Sequence, residues 1–215
     1  KQKFLANLEK AFLRFATQQG NSFLTDKTKD AITFLRLITQ QYDVATANPP
    51  FTDSSDFGEE LKGFIDSNYK KPLKFNVNLY ATFIKRCFEL TNDTGRIAMI
   101  HPYSFMYIKT FEDVRKLMIE KTHIEILADW GLDRVNIFEG GYASAPAFYV
   151  LSKKLSEDKS IFFQLTSNLQ EKAKRPVFEK ALEDYMKGID NSRVYQIVQS
   201  QLKIIKSWPL IYWVS

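Results

Sequence analysis

Asn48, Pro49, Pro50 and Phe51 bring an amide, a carbonyl and an aromatic ring together in four consecutive positions. Each proline fixes its own φ and restricts the residue before it. The Asn48 side chain and the Pro49 carbonyl are therefore held with little freedom, and Phe51 supplies a flat face beside them. Such a device can bind and orient a ligand. The same residues also suit a plain strand-ending turn, because Asn-Pro is a common turn opener.

Few other residues in the chain offer chemistry. His101 and His123 are not at metal-ligand spacing, and a lone His near a strand end reads as structural or solvated. One cysteine, Cys87, excludes an internal disulfide and a Cys-rich zinc site. None of the eight glycines forms a G-x-G pair, so this stretch carries neither a dinucleotide-type glycine loop nor a phosphate loop.

The elements around the motif follow from periodicity. Apolar residues at helical spacing predict helices over 3–18 and about 29–41. Residues 42–47 read as a short buried strand that runs into Asn48, where the prolines end the ladder. Ligands of open α/β sheets gather at the carboxyl ends of such strands, so motif and position agree. A polar loop over 52–58 precedes a helix at 59–69, and Lys70-Lys71-Pro72 breaks it. Leu79, Tyr80, Phe83, Ile84, Cys87 and Phe88 form a stripe that predicts a helix over 78–91 and makes Cys87 a small core residue. A turn at 92–95 leads into an apolar run at 96–100, as expected of a strand covered on both faces. Thr110 and Asp113 resemble a capping box for a helix through Lys121. Strands are predicted at 124–129 and 147–151 with no long helix between them, so a parallel α/β sheet closes with a hairpin. Beyond residue 155 the expectation is an edge strand at 161–165 and helices at 177–188 and 192–206. The closing Trp208–Trp213 stretch is apolar enough that it must pack on something.

At 215 residues the chain suits one domain or slightly more. Its 45% hydrophobic and 26% charged residues exclude wholesale disorder, and no run is long enough for a membrane span. The net charge of +5 is uneven: from Ser152 onward eleven Lys or Arg face seven Asp or Glu. A basic tail hints at a polyanion partner, but charge alone favours a solvated helical surface. The chain starts at Lys1 rather than Met, as if cut from something longer.

Ala47-Asn48-Pro49-Pro50-Phe51 behind a strand resembles the catalytic motif of DNA methyltransferases that act on adenine N6. The ordered stretches "YDVATANPPF", "NLYATFIKRCFELTNDTGRIAMIHPYSFM", "FEDVRKLMIEKTHIEILADWG" and "IFEGGYASAPAFYVLSKK" are similar to the large PglX-type and type IIG methylases of phage-exclusion and restriction–modification systems. "WPLIYWVS" is a weaker echo, and the resemblance covers about residues 30–155.

The resemblance implies an α/β fold: the C-terminal part of a Rossmann-like, S-adenosylmethionine-dependent methyltransferase sheet, with parallel strands closed by an antiparallel hairpin and followed by a mainly helical segment. Residues 1–41 would be a helical lead-in, 42–154 the catalytic subregion, and 155–215 a helical linker toward target recognition. An exocyclic amine is a poor nucleophile because its lone pair is delocalised into the ring. In the family the Asn side-chain oxygen and a Pro carbonyl accept its two hydrogens, which implies these roles for Asn48 and the Pro49-Pro50 backbone. Acceptors placed in this way supply electrostatic preorganisation and alignment. The adenine must be flipped out of double-stranded DNA, with Phe51 stacking on it and Phe138 as a second aromatic. S-adenosylmethionine is the implied cofactor, with Asn48 beside it. Restriction or defence subunits are implied partners, in the cytoplasm.

Three features depart from the family's pattern. Asn78 stands where an acidic residue often opens the following helix. Asp53, Asp56, Glu59 and Glu60 crowd the loop after Phe51, where acidic groups would repel DNA. The glycine loop and the ribose-binding acid that usually precede the motif are missing, so this stretch alone is expected to bind cofactor poorly and to be inactive. Two other readings remain open: a non-catalytic methyltransferase-like module for DNA binding or assembly, and an enzyme acting on RNA or on protein glutamine.

Overall fold

The computed structural model describes residues 2–18, 22–131, 145–166 and 171–214. The chain divides into two compact units, residues 1–42 and 43–215. The first consists of helices α1 (Gln2–Gln18) and α2 (Ser22–Thr39), which pack on one another with Arg36 paired to Glu9. α2 starts seven residues earlier than periodicity predicts. Tyr42 donates to the Leu37 carbonyl at its end, 2.6 Å away.

The second unit is built on a six-stranded sheet. Its strands are β1 (Tyr42–Ala47), β2 (Thr91–Pro102), β3 (His123–Asp129), β4 (Pro146–Ser152), β5 (Lys159–Gln164) and β6 (Val194–Val198). They lie in the order β1-β2-β4-β3-β5-β6. β4 runs antiparallel to both β2 and β3, β5 is parallel to β3, and β6 is antiparallel to β5. Asp43, at the start of β1, accepts from Asn92 beside the start of β2. Asn48, after its end, shares a recess with Met99 and Ile100. The two strands therefore run the same way, and the mixed α/β sheet has its parallel strands closed by the β3–β4 hairpin.

Gly95 permits the close approach of β1 and β2. A Cβ there would lie 2.6 Å from the Asp43 carbonyl oxygen and 2.5 Å from Thr91 Cγ2, so the missing side chain is a packing requirement. The predicted turn at 92–95 keeps its local chemistry, because Asn92 Oδ1 accepts from the Thr94 amide at 3.0 Å. These residues are nevertheless already part of β2, which begins at Thr91.

Helices α3 (Glu59–Tyr69), α4 (Leu79–Leu90) and α5 (Glu112–Lys121) follow β1 and β2 in the chain. Asn78 caps α4 by accepting from the Tyr80 amide at 3.2 Å. At the other end Thr91 returns both its amide and its hydroxyl to the Cys87 carbonyl. The α4 stripe of Tyr80, Ala81, Ile84 and Cys87 packs into the main core with Ile97, Met99, Leu117, Leu127 and Tyr149. Each large apolar side chain buried in this way contributes about 1.5–3 kcal/mol. Cys87 is a core thiol whose pKa burial pushes up. The capping box expected at Thr110 does not form. Phe111 is the cap of α5 and provides no side-chain bond, and the Asp113 carboxylate instead accepts the Lys74 amide at 2.8 Å.

After residue 155 the expected mainly helical segment is corrected, because it adds two strands to the sheet around a single long helix. Residues 192–206 are not a helix: Val194–Val198 form β6, and Gln199–Lys203 make a short helical turn. The apolar spacing suits a helix, but three of the five residues in Val194–Val198 are β-branched and the free edge of β5 takes them. β5 is consequently an interior strand, not an edge. Helix α6 (Glu171–Met186) starts before Pro176 rather than after it. It packs Ala181, Phe178, Leu182 and Tyr185 over Ala128 and Phe163 on the second face of the sheet. No helix among the described residues is long and apolar enough to cross a membrane.

The aromatic end does pack on the core. Arg115, fully buried on α5, donates to the carbonyls of Phe105 and Ile108 and, through two nitrogens, to that of Ser207. Ser207 and Trp208 are held at φ 69° and 50°, the left-handed region that non-glycine residues rarely adopt. Beyond them Leu210 donates its amide to Met106, and Tyr212 stacks on Phe162 at 4.8 Å. Replacing Arg115 with Met should leave one buried and two partly buried carbonyls without this partner and lower stability by roughly 2–4 kcal/mol. Urea unfolding followed by tryptophan fluorescence measures it, and an unchanged midpoint would remove Arg115 as the anchor.

Candidate active site

The Asn48–Phe51 segment leaves the carboxyl end of β1 and is secured immediately afterwards. The Thr52 carbonyl accepts the Leu79 amide at 2.9 Å, and the Ser54 amide donates to the Val77 carbonyl at 3.2 Å. Between these bonds Asp53 and Asn78 form an antiparallel bridge. The loop is thus fastened where the chain enters α4, itself packed in the core. Of the four motif residues, Pro49 is buried, Asn48 and Pro50 are exposed, and Phe51 is 37% exposed. A buried proline flanked by accessible polar and aromatic groups is an arrangement that leaves the amide and the ring free for a ligand. Phe138 lies outside the described residues.

Asn48 stands at one end of a recess of about 480 Å³ on the second sheet face. Thr46, Ala98, Ile100, Phe148 and Val150 also line it. It is lined mainly by apolar side chains beside Asn48 and Thr46, so it suits an apolar group more than a charged one.

The acidic loop has local work. Asp53 caps a helical turn by accepting the Ser55 amide, and Glu59 and Glu60 sit in the first turn of α3, where the helix dipole favours them. Asn78 has two roles: it caps α4 and pairs with the loop after Phe51. The sequence marked its difference from the family but had no signal for that pairing.

A buried aromatic layer supports the carboxyl end of β2 and the neighbouring amino-terminal half of β4. Tyr80 stacks on His101 at 4.5 Å and on Phe111 at 5.2 Å. The His101 Nδ1 faces the Pro102 carbonyl, which can only accept, so Nδ1 carries the proton. Its Nε2 then accepts from the Tyr149 hydroxyl at 2.8 Å. Burial holds the His101 pKa down at about 4. With both nitrogens engaged, His101 is a structural group and not a base for the motif.

At the end of β3, Asp129 is buried and accepts from the hydroxyls of Tyr107 and Tyr212 and from the Gly131 amide. Burial raises its pKa, and these hydrogen bonds oppose the rise. The same burial, beside the Asp129 charge, raises both tyrosine hydroxyls. Gly131, at φ +68°, lies so near the chain after β5 that a Cβ would come within 2.7 Å of Thr166 Cα. Asp129 and Tyr212 are 83 residues apart, and sequence spacing did not connect them.

The profile of the Eco57I restriction-modification methylase family matches residues 2–138. The chain belongs to this family. Adenine-specific methyltransferase PglX of Lacticaseibacillus casei (strain Zhang) is 25% identical over 180 residues, which cover 84% of this chain. Adenine-specific methyltransferase BrxX of Escherichia coli O9:H4 (strain HS) is 22% identical over 179 residues, or 83% of the chain. The matched part is only 14% of each relative's length. Among solved structures, the DrdV–DNA complex overlaps 87% of this chain and 20% of its own, with TM-score 0.59 and 15% identity. A type I modification subunit from Vibrio vulnificus YJ016 overlaps 83% and 42%, with TM-score 0.55 and 15% identity. These likenesses show that the Eco57I-family chain has the fold of restriction–modification methylases.

The buried His101 gives the Eco57I-family chain a defined pH response. Between about pH 6.5 and pH 4 the unfolded chain binds a proton at this position that the folded chain does not. Stability present above pH 6.5 is therefore lost as pH falls toward 4, by up to about 3 kcal/mol. Urea midpoints at pH 7 and pH 5 should show the loss, and the His101→Phe variant should show a smaller one. An equal loss in both proteins would place the proton elsewhere.

Proposed function

We propose that this chain carries the catalytic subregion of a DNA methyltransferase that transfers a methyl group from S-adenosylmethionine to the N6 amine of adenine. The carrying observation is Asn48-Pro49-Pro50-Phe51, fastened at the carboxyl end of β1 by the 52–54 and 77–79 pairing, in a chain of the Eco57I family. The two adenine-specific relatives supply the choice of base. The proposed setting is a restriction–modification or phage-defence system in the cytoplasm, with double-stranded DNA and restriction subunits as partners. Residues 1–41 serve as lead-in, 42–154 as the catalytic part, and 155–215 lead toward target recognition.

The proposed chemistry needs no strong base. The Asn48 side-chain oxygen and the Pro49 carbonyl accept the two amine hydrogens. That draws the nitrogen toward tetrahedral geometry and returns its lone pair from the ring. Because the acceptors are held by prolines and by the paired loop, they need little reorganisation at the moment of reaction. Phe51 stacks on the flipped adenine, and Phe138 is proposed as a second stacking face. S-adenosylmethionine, when bound, supplies an electrophilic methyl on sulfur. The recess lined by Asn48 has apolar walls that would suit the uncharged carbon surface of that molecule rather than its cationic sulfonium.

Asn48→Ala in the full-length protein should abolish methyl transfer to an adenine-containing duplex while leaving DNA binding largely intact. Radiolabelled methyl incorporation measures the first and fluorescence anisotropy the second. Undiminished incorporation would reject the mechanism. Methyl found on RNA or on protein glutamine, or DNA binding with no transfer by the unaltered protein, would favour the competing readings. Phe51→Ala should reduce kcat/KM by roughly 10- to 100-fold through lost stacking, about 1–3 kcal/mol. A rate equal to that of the unaltered protein would reject the stacking role.

A further inference from the structure

The sequence places the basic excess after Ser152, but the structure uses much of that charge internally. Lys153 donates to the Thr91 carbonyl and lies 4.5 Å from the Phe88 ring centre. Buried Lys174 donates to the Trp130 carbonyl, and Arg193 donates to that of Gln164. Arg175, Lys180 and Lys187 pair with Glu179, Asp184 and Glu183 along α6. Lys203 lies over Trp208 and near Glu120. Cations tied to carbonyls or paired with acids inside their own fold are less available to a polyanion.

A different basic group keeps its charge. Lys74, Lys109 and Lys116 line one recess of about 430 Å³ together with Glu112 and Asp113. Both acids there are engaged: Lys116 pairs with Glu112 at 2.8 Å and with Asp113 at 3.8 Å, and Asp113 also accepts the Lys74 amide. The Lys74 and Lys109 side chains are exposed and have no carboxylate partner among the described residues. Exposed Lys71 adds a third unpaired cation three positions earlier in the chain.

The location of this group matters as much as its charge. Lys74 lies just before Val77–Leu79, the residues that fasten the Asn48 loop. Lys109 follows the turn at Tyr103–Met106 that leaves the carboxyl end of β2. Both segments belong to the motif's edge of the sheet. Lys154 and Lys159 instead line a recess with Arg96 and His123, at the opposite ends of the strands.

We infer that Lys74 and Lys109 hold backbone phosphates of duplex DNA beside the catalytic loop. The inference rests on the adenine-methylation reading, whose site it extends. Lysines that touch phosphates position a duplex without reading its sequence. Neutralising phosphates releases counterions, so each phosphate that a variant no longer neutralises lowers the slope of log affinity against log salt by about 0.9.

The test uses the full-length protein with the Lys74→Gln/Lys109→Gln double variant. Duplex binding is followed by anisotropy between low and moderate salt, on cognate and unrelated sequences. The slope should fall by roughly 1.8, with affinity reduced alike on both sequences. The control Lys154→Gln/Lys159→Gln should keep the slope of the unaltered protein. An unchanged slope in the first variant, or a reduction confined to the control, overturns the inference. Methyl incorporation by the unaltered protein separates the two claims. Methylation with an unchanged slope in the Lys74/Lys109 variant sinks the phosphate-holding role alone. A reduced slope without methylation upholds that role and sinks the catalytic reading.

Discussion

The pairing of residues 52–54 with 77–79 is the constraint on which the site depends. A loop that leaves a strand through two prolines has a stiff start but nothing to determine where it goes next. Two backbone hydrogen bonds tie it to Val77 and Leu79, where the chain enters α4. Because α4 buries Tyr80, Ala81 and Ile84 in the main core, the motif inherits the rigidity of that core. A site whose acceptors are set before the ligand arrives needs little reorganisation, which is the physical basis of the catalysis proposed for it.

The same logic of distant anchoring recurs at the chain's aromatic end. Burying the Arg115 guanidinium is costly unless its donors are satisfied. Carbonyls from residues 105, 108 and 207 satisfy them, so the charge joins three segments rather than two side chains. Asp129 does the reverse, as a buried acceptor for hydroxyls from residues 107 and 212. Between them these groups hold residues 207–213 on the sheet, and anything this segment leads to is oriented by that attachment. Such pairs span 83 to 92 residues, and no local pattern in a sequence announces them.

Charge was the least legible property. A count along the chain finds the basic excess in the last third, yet α6 neutralises much of it with acids one helical turn away and the core takes Lys174. Around residue 74 the sequence holds Lys70, Lys71 and Lys74 with no acid between Asp66 and Glu89, and only folding brings Lys109, Glu112 and Asp113 alongside. Only folding shows that those acids are already engaged. Net charge is a sum over sequence, whereas attraction for a polyanion depends on which cations remain unpaired at a surface.

The reading of elements divides along the same line. Helices 59–69 and 79–90 and the β3–β4 hairpin are evident from periodicity, because each buries a face against a neighbour. The strand before Asn48 lies where expected but is an edge strand with no buried residue rather than a buried one. Residues 194–198 have the spacing of a helix, and only the free edge of β5 makes a strand the better partner. By itself the sequence determined the rigid Asn-Pro-Pro-Phe device, its place after a strand and the alternation that builds an α/β sheet, all set by local covalent and steric rules. The tertiary structure decided what fastens the device, what the Asn78 substitution does and which lysines stay free, because each depends on groups brought together from distant parts of the chain.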